Sequence, residues 1–332
     1  MYKEVIKIEK VTYYKIVNEK LVILEKEDGN YRLYNYPDFT DEKIVEGNFG
    51  GDIINIGNLI LGSNFKGFNI KDLSIQNPLV EQSYVMHNDK NIITKKVFYK
   101  ERRVNYFLYN INFELVRQIA TDYPVIMKSG LLITREGNVG VYNLKKNKQL
   151  WRQDFSKIAE YQEIDGENIL GEIREVYGYK DSIIVLTQLF IFRIDIQTGK
   201  ILCQQKLPAG FIVLSIHKNK AYSCYGYHFI EIDLETLEVL NFHRIEYEDY
   251  DGKQHFTIMN HPIFDAGLIY HAFRLEGGLH CIGAIRPETG KRIWMHPVGG
   301  YDINNIAFYD NKMFVLDSGG TLHIYEKEET AT

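Results

Sequence analysis

"SIIVLTQLFIFRIDIQTGK" (residues 182–200) holds two short apolar runs, a break around Gln188 and a polar corner from Asp195 to Lys200. Both runs are rich in β-branched and aromatic residues, which suit a pleated, half-buried strand better than a helix. The break is short enough for a hairpin, so the stretch reads as strand, turn, strand, corner. The same order recurs in "KLVILEKEDGNYRLYNYPDF" (20–39), "NLILGSNFKGFNIKDL" (58–73) and "GLLITREGNVGVYNLKKNKQLW" (130–151). It returns in "KAYSCYGYHFIEIDLETLE" (220–238), "GLIYHAFRLEGGLHCIGAIRPETGK" (267–291) and "KMFVLDSGGTLHIYEKE" (312–328), with a looser copy over 91–114.

Turn centres near 29, 67, 102, 137, 188, 226, 277 and 319 are spaced by roughly 41 residues, the period of a four-stranded propeller blade. Asp28-Gly29, Lys66-Gly67, Glu136-Gly137, Gly277-Gly278 and Gly319-Gly320 are expected to supply positive φ at the turns. An apolar segment precedes each hairpin, as in "YPVIMKS" (123–129), "FIVLSIH" (211–217) and "INNIAFY" (303–309), and reads as the inner strand. The last unit lacks an outermost strand, whereas the first is preceded by a spare one, "KEVIKIEK" (3–10). A ring in which this spare strand completes the last blade settles both, and it leaves neither sheet edge open. The expectation is an all-β protein, a single propeller domain over 1–332 with eight four-stranded blades. Seven blades is the alternative, if the looser third unit merges with a neighbour.

The corner has its own chemistry. "RPETGKRIW" (286–294) and "DIQTGKILC" (195–203) place Thr and Gly before Lys between the third and fourth strands. Gly turns the chain, Thr bonds local backbone and Lys covers the exposed corner. Trp151 and Trp294 follow at matching offsets and are expected to wedge against a neighbouring blade. "AIRPETGKRIW" (284–294) resembles the A-x-D-x-x-T-G-K-x-x-W corner of pyrroloquinoline-quinone-type propeller repeats. Asp195, Thr198, Gly199 and Lys200 match a further copy, as do Asp233 with Thr236, and Lys148 with Trp151. Arg286 stands where that family has Asp. WD-repeat proteins match less well, since no Trp-Asp dipeptide occurs. The resemblance implies a fold and no reaction.

Composition narrows the function classes. The chain has 332 residues, 45% of them hydrophobic and 13% aromatic, and a formal net charge of −5. That balance argues against a nucleic-acid binder. The N-terminal "MYKEVIKIEKVTYYKIV" alternates charged and apolar residues and has no apolar core of a secretion signal. Cys203, Cys224 and Cys281 are widely spaced and form no Cys-x-x-Cys pair, as expected of reduced thiols. A cytoplasmic, bacterial setting is expected.

Enzymes that resemble this repeat pattern carry a vicinal Cys-Cys pair beside their quinone, and no two cysteines are adjacent here. No cofactor is expected. Nine of the ten histidines follow residue 216; His271 and His280 flank "RLEGG" and are the candidates for a metal. An even-numbered hairpin loop would put both on one face of the sheet, and a three-residue loop would set them on opposite faces. "EYEDYDGKQ" (246–254) is acidic, but with Gly252 at the sixth position of a calcium loop Tyr247 and Ile258 fall where carboxylates are needed. It reads instead as a solvated insertion or a docking surface for a basic partner. "KKVFYKERRVNYF" (95–107) reads as a charged hairpin tip.

Turn spacing is widest around 152–180 and 242–262, which are expected to be long loops on a rigid ring, where binding tends to reside. The expected partner-binding residues are Tyr161, Glu163, Tyr177 and Tyr179 from the first, with Tyr247, Asp249, Tyr250 and Asp251 from the second. Both sets share a ring face only if both insertions join equivalent strands. The expected function is a non-enzymatic protein-binding scaffold, for instance an immunity-type protein that occludes a toxin or another basic protein, with no nucleic acid and no membrane. A quinone- or metal-dependent enzyme using the C-terminal histidines is the alternative.

Overall fold

The structure is a computed structural model that describes residues 2–79, 82–98, 103–119, 123–135, 138–162, 167–225, 228–245, 255–257, 261–275 and 277–328. Eight antiparallel sheets of mostly four strands follow one another along the chain, numbered here as blades 1 to 8 with strands named inner, second, third and outer. Blade 4 shows the pattern: Pro124–Lys128, Leu131–Arg135, Val139–Asn143 and Lys148–Gln153 pair in that order. The looser third unit is a complete blade, and its second and third strands, Asn91–Phe98 and Arg103–Asn110, are eight residues each. Eight blades, and not seven, make the ring.

The expected closure is present. Tyr2–Ile8 pairs antiparallel with Leu322–Lys327, so blade 8 takes its outer strand from the N-terminus and the other three from the C-terminus. The strands form because apolar residues alternate toward the two flanking blades, and each seam between blades has its own apolar core. Leu21 and Ile23 of blade 1 meet Phe314 and Ile324 of blade 8. Ile184 and Ile191 of blade 5 meet Ala221 and Ile230 of blade 6. Burying a Leu or Ile side chain is worth about 1.5–3 kcal/mol, so these seams supply the adhesion that holds the ring together.

The corners behave as their sequence suggests. Asp195 Oδ1 accepts from the Thr198 amide and hydroxyl, both at 2.7 Å, and Asp233 holds Thr236 in the same way. Thr198 and Thr289 in turn accept the amides of Lys200 and Lys291. Trp151 crosses to blade 5, its indole N–H donating to the Ile196 carbonyl at 2.9 Å. Gly199, at φ +74°, lies beneath that ring: an added Cβ would sit 2.7 Å from it. Trp294 packs against Tyr2 of blade 8. Not every hairpin glycine is there for positive φ. Gly67 sits in a strand so close to its neighbour that a Cβ would fall 1.9 Å from the Ile60 carbonyl oxygen.

Candidate partner-binding face

In this topology one face of the ring carries the connections from each outer strand to the next inner strand, together with the hairpins joining second to third strands. The other face carries the remaining turns and the Asp-Thr-Gly corners. The two long insertions join equivalent strands. The first leaves blade 4 after Gln153 and enters blade 5 at Ile173; the second leaves blade 6 after Arg244 and enters blade 7 at His255, where His255–Thr257 pairs with the second strand ahead of Ile263–Asp265. The described ends of both insertions therefore lie on the same face.

The first insertion is shorter than 152–180 and well anchored. Asp154 caps a one-turn helix, Phe155–Ile158, by accepting the Ser156 amide at 2.9 Å. Phe155 is fully buried between blades 4 and 5, its ring 5.2 Å from Phe192. A small ribbon follows, Tyr161–Gln162 against Asn168–Ile169. Gly171 then passes so close to Ala159 that a Cβ would lie 2.4 Å from the Ala159 carbonyl oxygen. The loop is thereby clamped at both ends while Ile158 and Leu170 point into solvent.

The predicted residues fall into three groups. Tyr161 lies half-buried in the ribbon on this face. Tyr177 and Tyr179 are not in a loop; they belong to the inner strand of blade 5, Ile173–Tyr179. The Tyr177 hydroxyl accepts the Leu214 amide at 2.7 Å, and the buried Tyr179 donates to Glu235 at 2.9 Å, so both tie blade 5 to blade 6. Burial raises both phenol pKa values. The apolar run "EVYGY" could have revealed this strand, because it matches the inner segments of the other units. Glu163, Tyr247, Asp249, Tyr250 and Asp251 lie outside the described residues.

The metal candidates separate. Arg274 pairs with His280 and His271 with Gly283, and a three-residue turn closes the hairpin, so the two imidazoles occupy opposite faces of blade 7. His271 faces blade 6 and is buried, with Arg292 nearby; neither of its ring nitrogens has a hydrogen-bond partner among the described residues. Burial, and then the Arg292 charge, holds its pKa well below the usual 6.5. His280 faces blade 8, with Nδ1 3.3 Å from Asp302. Among the described residues no group of three or more His, Cys, Asp or Glu is placed to hold a metal ion. Cys224 and Cys281 are buried and unpaired by disulfides; burial pushes the Cys281 thiol up to about 11, which leaves it a poor nucleophile.

Sequence reasoning missed the exposed side chains on the same type of connection. Tyr123, Ile158, Leu170 and Tyr301 are 52%, 37%, 57% and 61% exposed, and each lies between an outer strand and the next inner strand. They share no motif, so only their placement brings them together. Most other exposed apolar residues, such as Leu115, Leu202 and Ile293, sit on outer strands around the rim.

The geometry defines an all-β, eight-bladed propeller closed by its N-terminal strand. Solved structures share that fold at low identity. The computationally designed Ika8 protein aligns with a TM-score of 0.64 at 12% identity, over 96% of each chain. BamB from Moraxella catarrhalis aligns at 0.62 and 11%, over 98% of this chain and 100% of that one. The C-terminal WD40 domain of Sif2 aligns at 0.64 and 13%, over 99% of both. These likenesses concern the fold alone. No family model matches the chain, and no curated protein does.

Proposed function

We propose that this propeller is a non-enzymatic protein-binding scaffold that works through the face bearing the outer-to-inner connections. The observation that carries the reading is the placement of Tyr123, Ile158, Leu170 and Tyr301 in connections of that one type, on a rigid ring. Exposed aromatic and aliphatic side chains on a preorganised surface supply contact area at little entropic cost. The acidic run at 246–251, which lies outside the described residues, offers charge for a basic partner. An immunity-type role in a bacterial cytoplasm, in which the disc occludes a toxin, fits a rigid scaffold whose role is to cover a surface. The Asp-x-x-Thr-Gly-Lys corner at 195–200 and the Thr-Gly-Lys corner at 289–291 support reading the repeat as the pyrroloquinoline-quinone type, used here for architecture.

The test is a tagged pull-down from the native host at moderate salt, with mass spectrometry of what is retained and metal and quinone analysis of the purified protein. A stoichiometric protein partner that is lost on Leu170→Ser with Tyr301→Ala supports the scaffold. Retention of a metal or quinone with no protein partner returns the enzymatic alternative.

A further inference from the structure

The face opposite the long insertions has a cleft of its own. There the turn from inner to second strand of blade 3, residues 88–91, lines one side, and its counterpart in blade 4, residues 127–130, lines the other. The space between them is about 630 Å³. Local bonds fix both walls. Asn88 Oδ1 accepts the amides of Lys90 and Asn91 at 3.0 and 2.9 Å. The Leu144 amide donates to the Gly130 carbonyl at 2.9 Å, which sets the third-to-outer corner of blade 4 beside the cleft. That corner is held in turn, with the Lys146 amide donating to Asn143 Oδ1 and the Tyr142 hydroxyl to Asn147 Oδ1, both at 2.7 Å.

The corner reads "KKNK" (145–148), so one fixed turn displays Lys145, Lys146 and Lys148, with Lys90 across the cleft. All four are exposed, and among the described residues none of their ammonium groups has an ion-pair or hydrogen-bond partner. Lys128 differs, since its ammonium donates to the Lys180 carbonyl. Asp89, next to Lys90 on the same turn, is the one carboxylate among the described lining residues. Three like charges within four residues repel one another, and a bound anion relieves that repulsion. The patch is basic on a protein whose net charge is −5, so overall composition does not account for it.

We propose that this cleft and the 145–148 corner dock an acidic segment of a partner protein. A carboxylate entering the cleft would meet the Lys90 ammonium and the Ser129 hydroxyl, and its neighbours along the segment would meet Lys145, Lys146 and Lys148. The lining and the corner offer neither an aromatic ring on which bases could stack nor an exposed apolar side chain that could enter a bilayer. The inference goes beyond the proposed function, since it concerns the opposite face and a partner whose charge is the reverse of that suited to the acidic run.

The experiment is fluorescence anisotropy of the full chain with a labelled peptide alternating Glu and Ala. A labelled Lys–Ala peptide and a single-stranded oligonucleotide serve as comparisons, with co-sedimentation on phosphatidylserine–phosphatidylcholine vesicles and size-exclusion chromatography alongside. Saturable binding of the Glu–Ala peptide that weakens with salt is expected. Lys145→Glu with Lys146→Glu should weaken it about tenfold, and Lys90→Glu about threefold, as reversal of exposed ion pairs implies. Asp89→Asn should tighten it, because it removes the carboxylate from the lining. Lys157→Glu with Lys206→Glu changes the net charge by the same amount as the 145–146 pair but lies toward the other face, and should have little effect. No saturable binding at low salt, equal weakening by that control pair, or tighter binding of the oligonucleotide or the vesicles would overturn the proposal. So would self-association abolished by the 145–146 reversal, which would give the surface to a second copy. None of these outcomes bears on the host pull-down, which reports on Leu170 and Tyr301.

Discussion

Replacing His323 by Ala tests how the ring is locked. His323 is buried on the third strand of blade 8, with Nδ1 2.6 Å from Glu4 of the N-terminal strand and Nε2 3.3 Å from Asp317 of the second strand. One imidazole thus bridges the segment that closes the ring and the sheet it joins. Asp317 is 5% exposed, and Glu4 is also held by Lys7 at 3.3 Å. Leaving a buried acceptor without its donor costs about 1–3 kcal/mol, and more when the acceptor is charged. Glu4 keeps Lys7 and some contact with water, which puts the expected loss at about 3 kcal/mol for the two stranded carboxylates together. With an unfolding entropy of about 2.1 cal/mol/K per residue, that corresponds to a fall in Tm of about 4 °C for a chain of this length. Urea unfolding followed by circular dichroism reads the change. Adding Glu4→Gln to the His323→Ala background should restore part of the loss, because the stranded carboxylate is then gone. A loss below about 0.5 kcal/mol, or strict additivity of the two substitutions, would refute the bridging role.

Acid should weaken the fold. His271 is buried and neutral with a depressed pKa, and His296 is also depressed, chiefly by burial. The unfolded chain binds these protons first, so stability is fully present above the ordinary value of 6.5 and falls as pH drops below it. The slope is at most about 1.4 kcal/mol per pH unit for each group. Urea midpoints between pH 7.5 and 5 should therefore decline, and His271→Leu should flatten the profile. Gly199→Ala forces a left-handed residue and a Cβ into Trp151; a loss of about 1–3 kcal/mol is expected in urea unfolding. Trp151→Phe removes the indole N–H that reaches Ile196 and should cost about 1–2 kcal/mol by the same assay, the ring area being partly kept. Thiol titration with a bulky disulfide reagent should leave Cys224 and Cys281 unreactive until the protein is unfolded, since both are buried.

The repeat could be read from the chain because each blade is a local unit. Alternation, a hairpin and a corner all lie within about 40 residues, so strand order and blade number follow from spacing. The closing strand was also readable, since one unit had a strand too many and another one too few. The opposite orientation of His271 and His280 depended on the parity of a single turn, which "RLEGG" leaves open and the Arg274–His280 register settles. Tyr177 and Tyr179 looked like loop residues because the insertion before them hides where the inner strand begins.

The His323 bridge and the exposed side chains of one face bring together residues distant in the chain. His323 meets Glu4 only because the ring closes, and Tyr123, Leu170 and Tyr301 share a face only because their connections are equivalent. The sequence by itself determined the period, the corners and the closure, all properties of neighbouring residues governed by backbone conformation and alternation. The tertiary structure alone decided which side chains converge on a face or are sealed in a seam. Those outcomes depend on packing between blades, which no local pattern encodes.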